Sequence, residues 1–193
     1  MNTKTVKITQ TLTYILFWPI LYVFGSRLDS SRTSNSATII ACNHVSVLDF
    51  LAVPGSIRFR NYLSSSTYYF MTANRFLNTP ITGWALLANG GFRAKPHRNS
   101  LVGVERAVEI LKHRGNVIMF PEGGFPINGK PRAARPGIEK IIDQTSAKVL
   151  PVFIEKSKLG PLTRVRTTVG QRFNANGMSA KQIMDKVYSI KRV

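Results

Sequence analysis

Four short apolar runs, residues 37–42, 68–72, 117–120 and 149–154, punctuate the chain, and most of the segments between them show apolar residues at helical spacing. Runs of this length, rich in Ile, Val, Phe and Tyr, are too short for stable helices and suit strands buried on both faces. Strands alternating with helices confine the chain to an α/β domain, a layered, mostly parallel or mixed sheet flanked by helices. Residues 100–114 carry the clearest helical stripe, Leu101, Val104, Val108 and Leu111. Ser100 is placed to cap its start, Lys112-His113-Arg114 suit its negative end, and Gly115 is placed to stop it. Residues 46–53 predict a helix stopped by Pro54-Gly55, and residues 80–87 a short helix opened by Pro80, followed by a turn at Asn89-Gly90-Gly91. Ile138, Ile141 and Ile142 mark another helix, and Ile183, Val187 and Ile190 a last one. Residues 57–71 are ambiguous between the two patterns, with 68–72 the better strand candidate. Pro151 inside an apolar run implies an edge strand or a bulge. Residues 164–169 alternate basic with apolar or Thr side chains, as a strand with one wet face does. No internal repeat is present.

At 193 residues the chain suits one domain with a real core, preceded by a segment of different character. Residues 11–25 are nearly all apolar, include Tyr14, Trp18 and Tyr22, and follow Lys4 and Lys7. A spanning helix needs about 20 apolar residues, so this stretch suits a helix lying in, or dipping into, a membrane interface. A signal peptide and a helix packed on the domain are the other readings. A Ser-rich linker follows over residues 27–36. The expected division is therefore a membrane-associated segment and linker, 1–36, and a folded domain, 37–193.

Charge narrows the partners. There are 27 Lys+Arg against 9 Asp+Glu, a net +18, which calls for an anionic partner: nucleic acid, anionic lipid headgroups or a phosphorylated substrate. One Cys forms no internal disulfide, and three scattered His offer no metal-ligand spacing, so no metal is expected.

Scarce acids make two of them informative. The stretch Asn43-His44-Val45-Ser46-Val47-Leu48-Asp49 places an imidazole and a carboxylate five residues apart, just after an apolar run. On one regular helix they would point about 140° apart. They meet only if His44 sits in the turn before a helix and Asp49 within its first turns. In that arrangement the carboxylate holds one ring nitrogen and leaves the other free to take a proton. Ser46 to Asp49 also fits a plain capping box. Cys42, at the end of a strand-like run, reads as a small buried residue rather than a nucleophile.

Two further constellations accompany it. Phe120-Pro121-Glu122-Gly123-Gly124 closes a strand; its glycines allow close backbone approach to a ligand, and Glu122 is an acceptor for a ligand hydroxyl. Its bland alternative is a turn with an exposed Glu. Gly90-Gly91-Phe92-Arg93-Ala94-Lys95-Pro96-His97-Arg98 couples glycines to cations suited to phosphate, or is simply a solvated basic loop. Lys130, Arg132 and Arg135 offer a further anion patch.

Together these motifs resemble the lysophosphatidate (1-acylglycerol-3-phosphate) acyltransferase family over about residues 37–175. His44 to Asp49 matches its His-x-x-x-x-Asp motif, with Asn43 also typical, and Phe120 to Gly123 matches its Phe-Pro-Glu-Gly. Val149-Leu150-Pro151-Val152 matches its Pro-bearing strand. Pro80-Ile81-Thr82-Gly83-Trp84 followed by Gly90-Gly91 is similar to the region between its first two motifs. The resemblance implies transfer of a fatty acyl group from a thioester, acyl-CoA or acyl carrier protein, to the free hydroxyl of a lysophospholipid, with no cofactor. It implies His44 as general base and Asp49 as its orienting partner. It implies Glu122, Gly123 and Gly124 at the acceptor and oxyanion, one or more of Arg93, Lys95 and Arg98 on the phosphate, and a site on the cytoplasmic side of an anionic membrane surface. Two departures touch the acceptor. No single Arg aligns with the one that ends the family's second motif, and Gly124-Phe125-Pro126 stands where Thr-Arg or Ser-Arg is usual. Another lyso-lipid acceptor is therefore an alternative. A basic nucleic-acid-binding module is a second alternative that leaves the His44–Asp49 pair and the apolar N-terminus unexplained; no nucleic acid is expected.

Overall fold

A computed structural model describes residues 3–24, 37–45, 49, 53, 67–94, 101–159 and 162–191. In chain order the described elements are α1 (Thr3–Phe24), β1 (Thr38–Cys42), β2 (Tyr68–Thr72), α2 (Asn74–Leu77), α3 (Pro80–Ala88) and β3 (Gly91–Arg93). They continue with α4 (Val102–Lys112), β4 (Asn116–Met119), α5 (Gly137–Thr145), β5 (Lys148–Leu159), β6 (Leu162–Val169) and α6 (Ala180–Ser189). Asp49 and Val53 have helical backbone, as the expected helix over 46–53 requires. The rest of that helix, Pro54-Gly55, the linker over 27–36, Ser100, Lys95 and Arg98 lie outside the described residues.

The strands form one sheet of order β3-β2-β4-β1-β5-β6. Every pairing is parallel except β5 with β6. The architecture is thus the expected α/β layering with a mixed sheet. Alternate side chains of the strands enter two separate cores. On one face Ile39, Ala41, Val117, Met119 and Val149 pack with the apolar stripes of α4, α5 and α6. On the other, Ile40, Cys42, Phe70, Ile118 and Val152 pack with Val53, Leu77 and Leu86. Burial on both faces explains why the central strands read as unbroken apolar runs.

Three local expectations are revised. Pro151 is not on an edge: β5 lies between β1 and β6, and Pro151 pairs with Ala41. Its carbonyl accepts from Gly170 N–H at 3.0 Å, while the β6 ladder begins only at Val152 opposite Val169. The missing N–H therefore falls where the neighbouring strand has already ended. Leu101 is the N-cap of α4, without a side-chain cap. At its other end Arg114, with φ 61°, takes the left-handed conformation expected of Gly115. Gly115 is instead needed for space, since a Cβ there would sit 2.6 Å from Ile110 Cγ2.

Helix α1 lies against the domain through its N-terminal half. Val6 is fully buried, and buried Gln10 donates to the carbonyls of Tyr68 and of Asn89, the latter at 2.7 Å. Ile8, Leu12, Ile15 and Leu16 are exposed. No described helix is long and apolar enough to cross a membrane.

Candidate active site

The parallel strands deliver their carboxyl ends to one rim of the sheet, where open α/β folds bind ligands. Beyond β1 come Asn43 and His44, beyond β4 the turn from Phe120 to Gly124, and beyond β2 the short helix α2 carrying Arg75. Asn43 is nearly buried and acts as an extra rung of the sheet. Its Nδ2 donates to Ile154 O at 2.7 Å, and its Oδ1 accepts from Ile154 N–H at 2.6 Å. The chain leaving β1 is thus fixed to β5 one residue before His44.

His44 sits in the turn and Asp49 on helical backbone, the arrangement their spacing demands. His44 Nδ1 lies 2.7 Å from Asp49 Oδ2, which also accepts from Val45 N–H at 2.7 Å. A carboxylate only accepts, so Nδ1 carries the proton and Nε2 keeps its lone pair. The Asp49 side chain is fully buried, whereas that of His44 retains 16% exposure. A shielded partner behind a reachable imidazole is the geometry of a general base. Two phenyl rings pack on the imidazole, Phe120 at 4.4 Å and 20° and Phe125 at 4.2 Å and 37°. They restrain the ring plane.

Glu122 is not the exposed side chain of a plain turn. It is 1% exposed, and its Oε1 accepts from the Tyr188 hydroxyl of α6. Oε2 is buried without a hydrogen bond among the described residues. Burial raises the Glu122 carboxyl above its ordinary value, while the Tyr188 bond and the nearby main chain and charge of His44 pull the other way. The Tyr188 phenol is itself raised, by burial first and then by this carboxylate. Cys42 is fully buried, and burial, with Asp49 nearby, raises its thiol well above the usual range. It is no nucleophile at neutral pH.

The glycines after Glu122 have separate duties. Gly123 has φ 64° and its N–H is committed to Phe120 O at 2.9 Å, so of the two expected oxyanion donors only Gly124 remains. A Cβ on Gly123 would fall 2.6 Å from Arg135 Nε, and one on Gly124 3.3 Å from Arg132 Cζ. Both guanidinium groups therefore lie against the turn, Arg132 anchored by Nε to Phe125 O at 2.8 Å. Arg75 Cζ is 5.9 Å from the Phe125 ring centroid. The ion pairs among the described residues include none of Arg75, Arg132 and Arg135. Arg93 ends β3, exposed, and donates to Asn78 Oδ1 at 2.8 Å. Arg75, Phe125 and Tyr188 were not singled out by sequence; only Phe125, as a departure from the family pattern, carried a signal. No group of three potential metal ligands occurs among the described residues.

A buried carboxylate paired with an imidazole thus stands at the strand ends of an α/β sheet, with Arg75, Arg132 and Arg135 close by and in no ion pair among the described residues, an arrangement suited to base-catalysed transfer to an anionic substrate. Comparison with known proteins gives the class its family. The acyltransferase family model matches residues 25–155, more than half of the sequence, and the chain belongs to that family. It is 23% identical over 142 residues to the chloroplastic 1-acyl-sn-glycerol-3-phosphate acyltransferase LPAT1 of Arabidopsis thaliana, an alignment covering 72% of this chain. The chain spans 38% of that relative's length. Its fold is similar to the crystal structure of the 1-acyl-sn-glycerophosphate (LPA) acyltransferase PlsC from Thermotoga maritima. The TM-score is 0.59 at 19% identity, covering 97% of this chain and 77% of that one.

Proposed function

We propose that this protein is an O-acyltransferase that moves a fatty acyl group from a thioester, acyl-CoA or acyl carrier protein, to the free hydroxyl of 1-acylglycerol-3-phosphate. The observation that carries the reading is the 2.7 Å contact of His44 Nδ1 with buried Asp49, which leaves Nε2 as the free base. Nε2 takes the acceptor's hydroxyl proton as that oxygen attacks the thioester carbonyl carbon. Asp49 stabilises the imidazolium so formed. Collapse of the tetrahedral intermediate breaks the C–S bond, and the imidazolium returns the proton to the departing thiolate. The Gly124 N–H is the donor for the oxyanion.

Arg132 and Arg135, with Arg75, support a phosphate-bearing acceptor, beside the Arg93, Lys95 and Arg98 implied by the family likeness. A second acceptor class is favoured by one feature: Phe125 occupies the position where the family usually carries Arg, and it packs on His44. The exposed apolar residues of α1, with Trp84 and Leu87 of α3, support a chain bound to a lipid surface. The site then opens to the cytoplasmic side, where a soluble thioester reaches it. Thiol release from a long-chain acyl thioester, with lysophosphatidate as acceptor, tests the reading. Turnover that His44→Ala abolishes while the fold survives is expected; full activity in that variant overturns the assignment.

A further inference from the structure

The bond between Tyr188 and Glu122 joins residues 66 positions apart and draws in an element, α6, that lies beyond residue 155, where the family match ends. Helix α6 is held firmly. Ser179 and Gln182 form a complete capping box, Ala180 N–H donates to Glu139, and Ile183, Met184 and Val187 are buried. Near its last turn the Tyr188 ring meets Phe153 edge-on at 5.7 Å. Phe153 adjoins Ile154, whose main chain clamps Asn43. One stretch of β5 thus locates both the residue before His44 and the ring that reaches Glu122.

Resting on the reading of His44 as general base, we propose that Tyr188 is a positioning residue of the acyl-transfer site: its hydroxyl holds the Glu122 carboxylate beside the His44 turn, where its negative charge supports the imidazolium. A carboxyl this deeply buried favours its neutral form. Among the described residues Tyr188 supplies the side-chain hydrogen bond that opposes this. Among the described residues the other ionisable groups nearby are His44 itself, Asp49 on the imidazole Nδ1, Arg135 against the adjacent Gly123 and Arg132 against Gly124. Loss of the hydroxyl lets Glu122 protonate at higher pH, and the imidazolium then keeps Asp49 alone.

Tyr188→Phe in the full chain keeps the ring contact with Phe153 and removes only the donor. Its kcat for thiol release is expected to fall about 10-fold, the size of a hydrogen bond to a charged group, with the acceptor KM unchanged. The limb of its pH profile that tracks Glu122 ionisation should move to higher pH, and Glu122→Gln in the same chain should abolish that movement. Carbon-13 spectra of the glutamate carboxyls give a readout free of turnover: Glu122 should titrate at higher pH in Tyr188→Phe than in wild type. Site-specific fluorotyrosine at 188, a stronger donor, should move it the other way and serves if the Phe variant fails to fold. A titration indifferent to both changes overturns the proposal. Absence of acyl transfer in wild type overturns the functional reading instead, and the carboxyl titration still decides the coupling.

Discussion

Asn43 and Ile154 are joined by two hydrogen bonds of 2.7 and 2.6 Å, a side-chain amide standing where a neighbouring strand's peptide group would be. Ile154 is fully buried, so nothing else can serve its N–H and C=O on that side. Asn43→Ala leaves both unsatisfied and frees the turn that carries His44. A loss of about 1–3 kcal/mol per orphaned group is expected, read as a lower midpoint in urea. Activity should fall further than stability alone explains, because the turn is displaced.

The Asp49–His44 pair makes a prediction about charge. In Asp49→Asn an amide oxygen in the place of Oδ2 accepts from both Val45 N–H and Nδ1–H, so the tautomer is kept while the charge that stabilises the imidazolium is lost. A drop in kcat of about 10²–10⁴-fold is expected, with the far-ultraviolet circular dichroism unchanged. Turnover near wild type in this variant would remove the charge-stabilising role of Asp49.

Arg132 and Arg135 predict a split between acceptors. Each is exposed and anchored against the glycines beside the catalytic turn, and replacement by Ala exposes no core. For lysophosphatidate, the double variant should raise KM about 10-fold or more, as losing charge-assisted bonds to phosphate does. For an uncharged monoacylglycerol, KM should not move. Parallel loss with both acceptors would place these side chains outside recognition.

Glu122 predicts a conflict between stability and activity. Its folded carboxyl is raised by burial above its ordinary value. The folded state therefore binds that proton more tightly than the unfolded one, and its ionised form is a stability cost at neutral pH that disappears as pH falls into the carboxylate range. Glu122→Gln, of the same shape, should show a higher Tm than wild type at pH 7, the gap closing on acidification. The same variant should turn over more slowly.

The exposed face of α1 predicts partition to membranes. Leu12 and Leu16 are 62% and 73% exposed and touch little of the domain. Burying one Leu is worth about 1.5–3 kcal/mol, so Leu12→Ser with Leu16→Ser should release most of the protein from sedimenting anionic vesicles. Salt-resistant binding by that variant would assign attachment elsewhere.

The α/β class and the central strands were legible because strands buried on both faces must be apolar throughout, and the His44–Asp49 contact because that spacing lets the two side chains meet only across a turn into a helix. Pro151 misled because an edge was inferred from a missing donor, whereas β6 simply ends beside it. Burial of Glu122 was not legible, because its partner, Tyr188, is 66 residues away and leaves no local trace. Arg75, like Arg132 and Arg135, is one cation among many in so basic a chain; only packing against Phe125 and the glycines sets these three apart.

Ala41 pairs with Met119, and from these partners His44 and Glu122 are each three residues onward. The distance between the two reactive segments is therefore measured across two adjacent strands, not along the 78 residues of backbone that separate them by number. Insertions anywhere in the intervening helices and loops leave that ruler untouched, whereas a single residue added within either strand would shift one group past the other. Relatives can accordingly diverge freely in length between the motifs, yet tolerate no change in the count from pleat to turn.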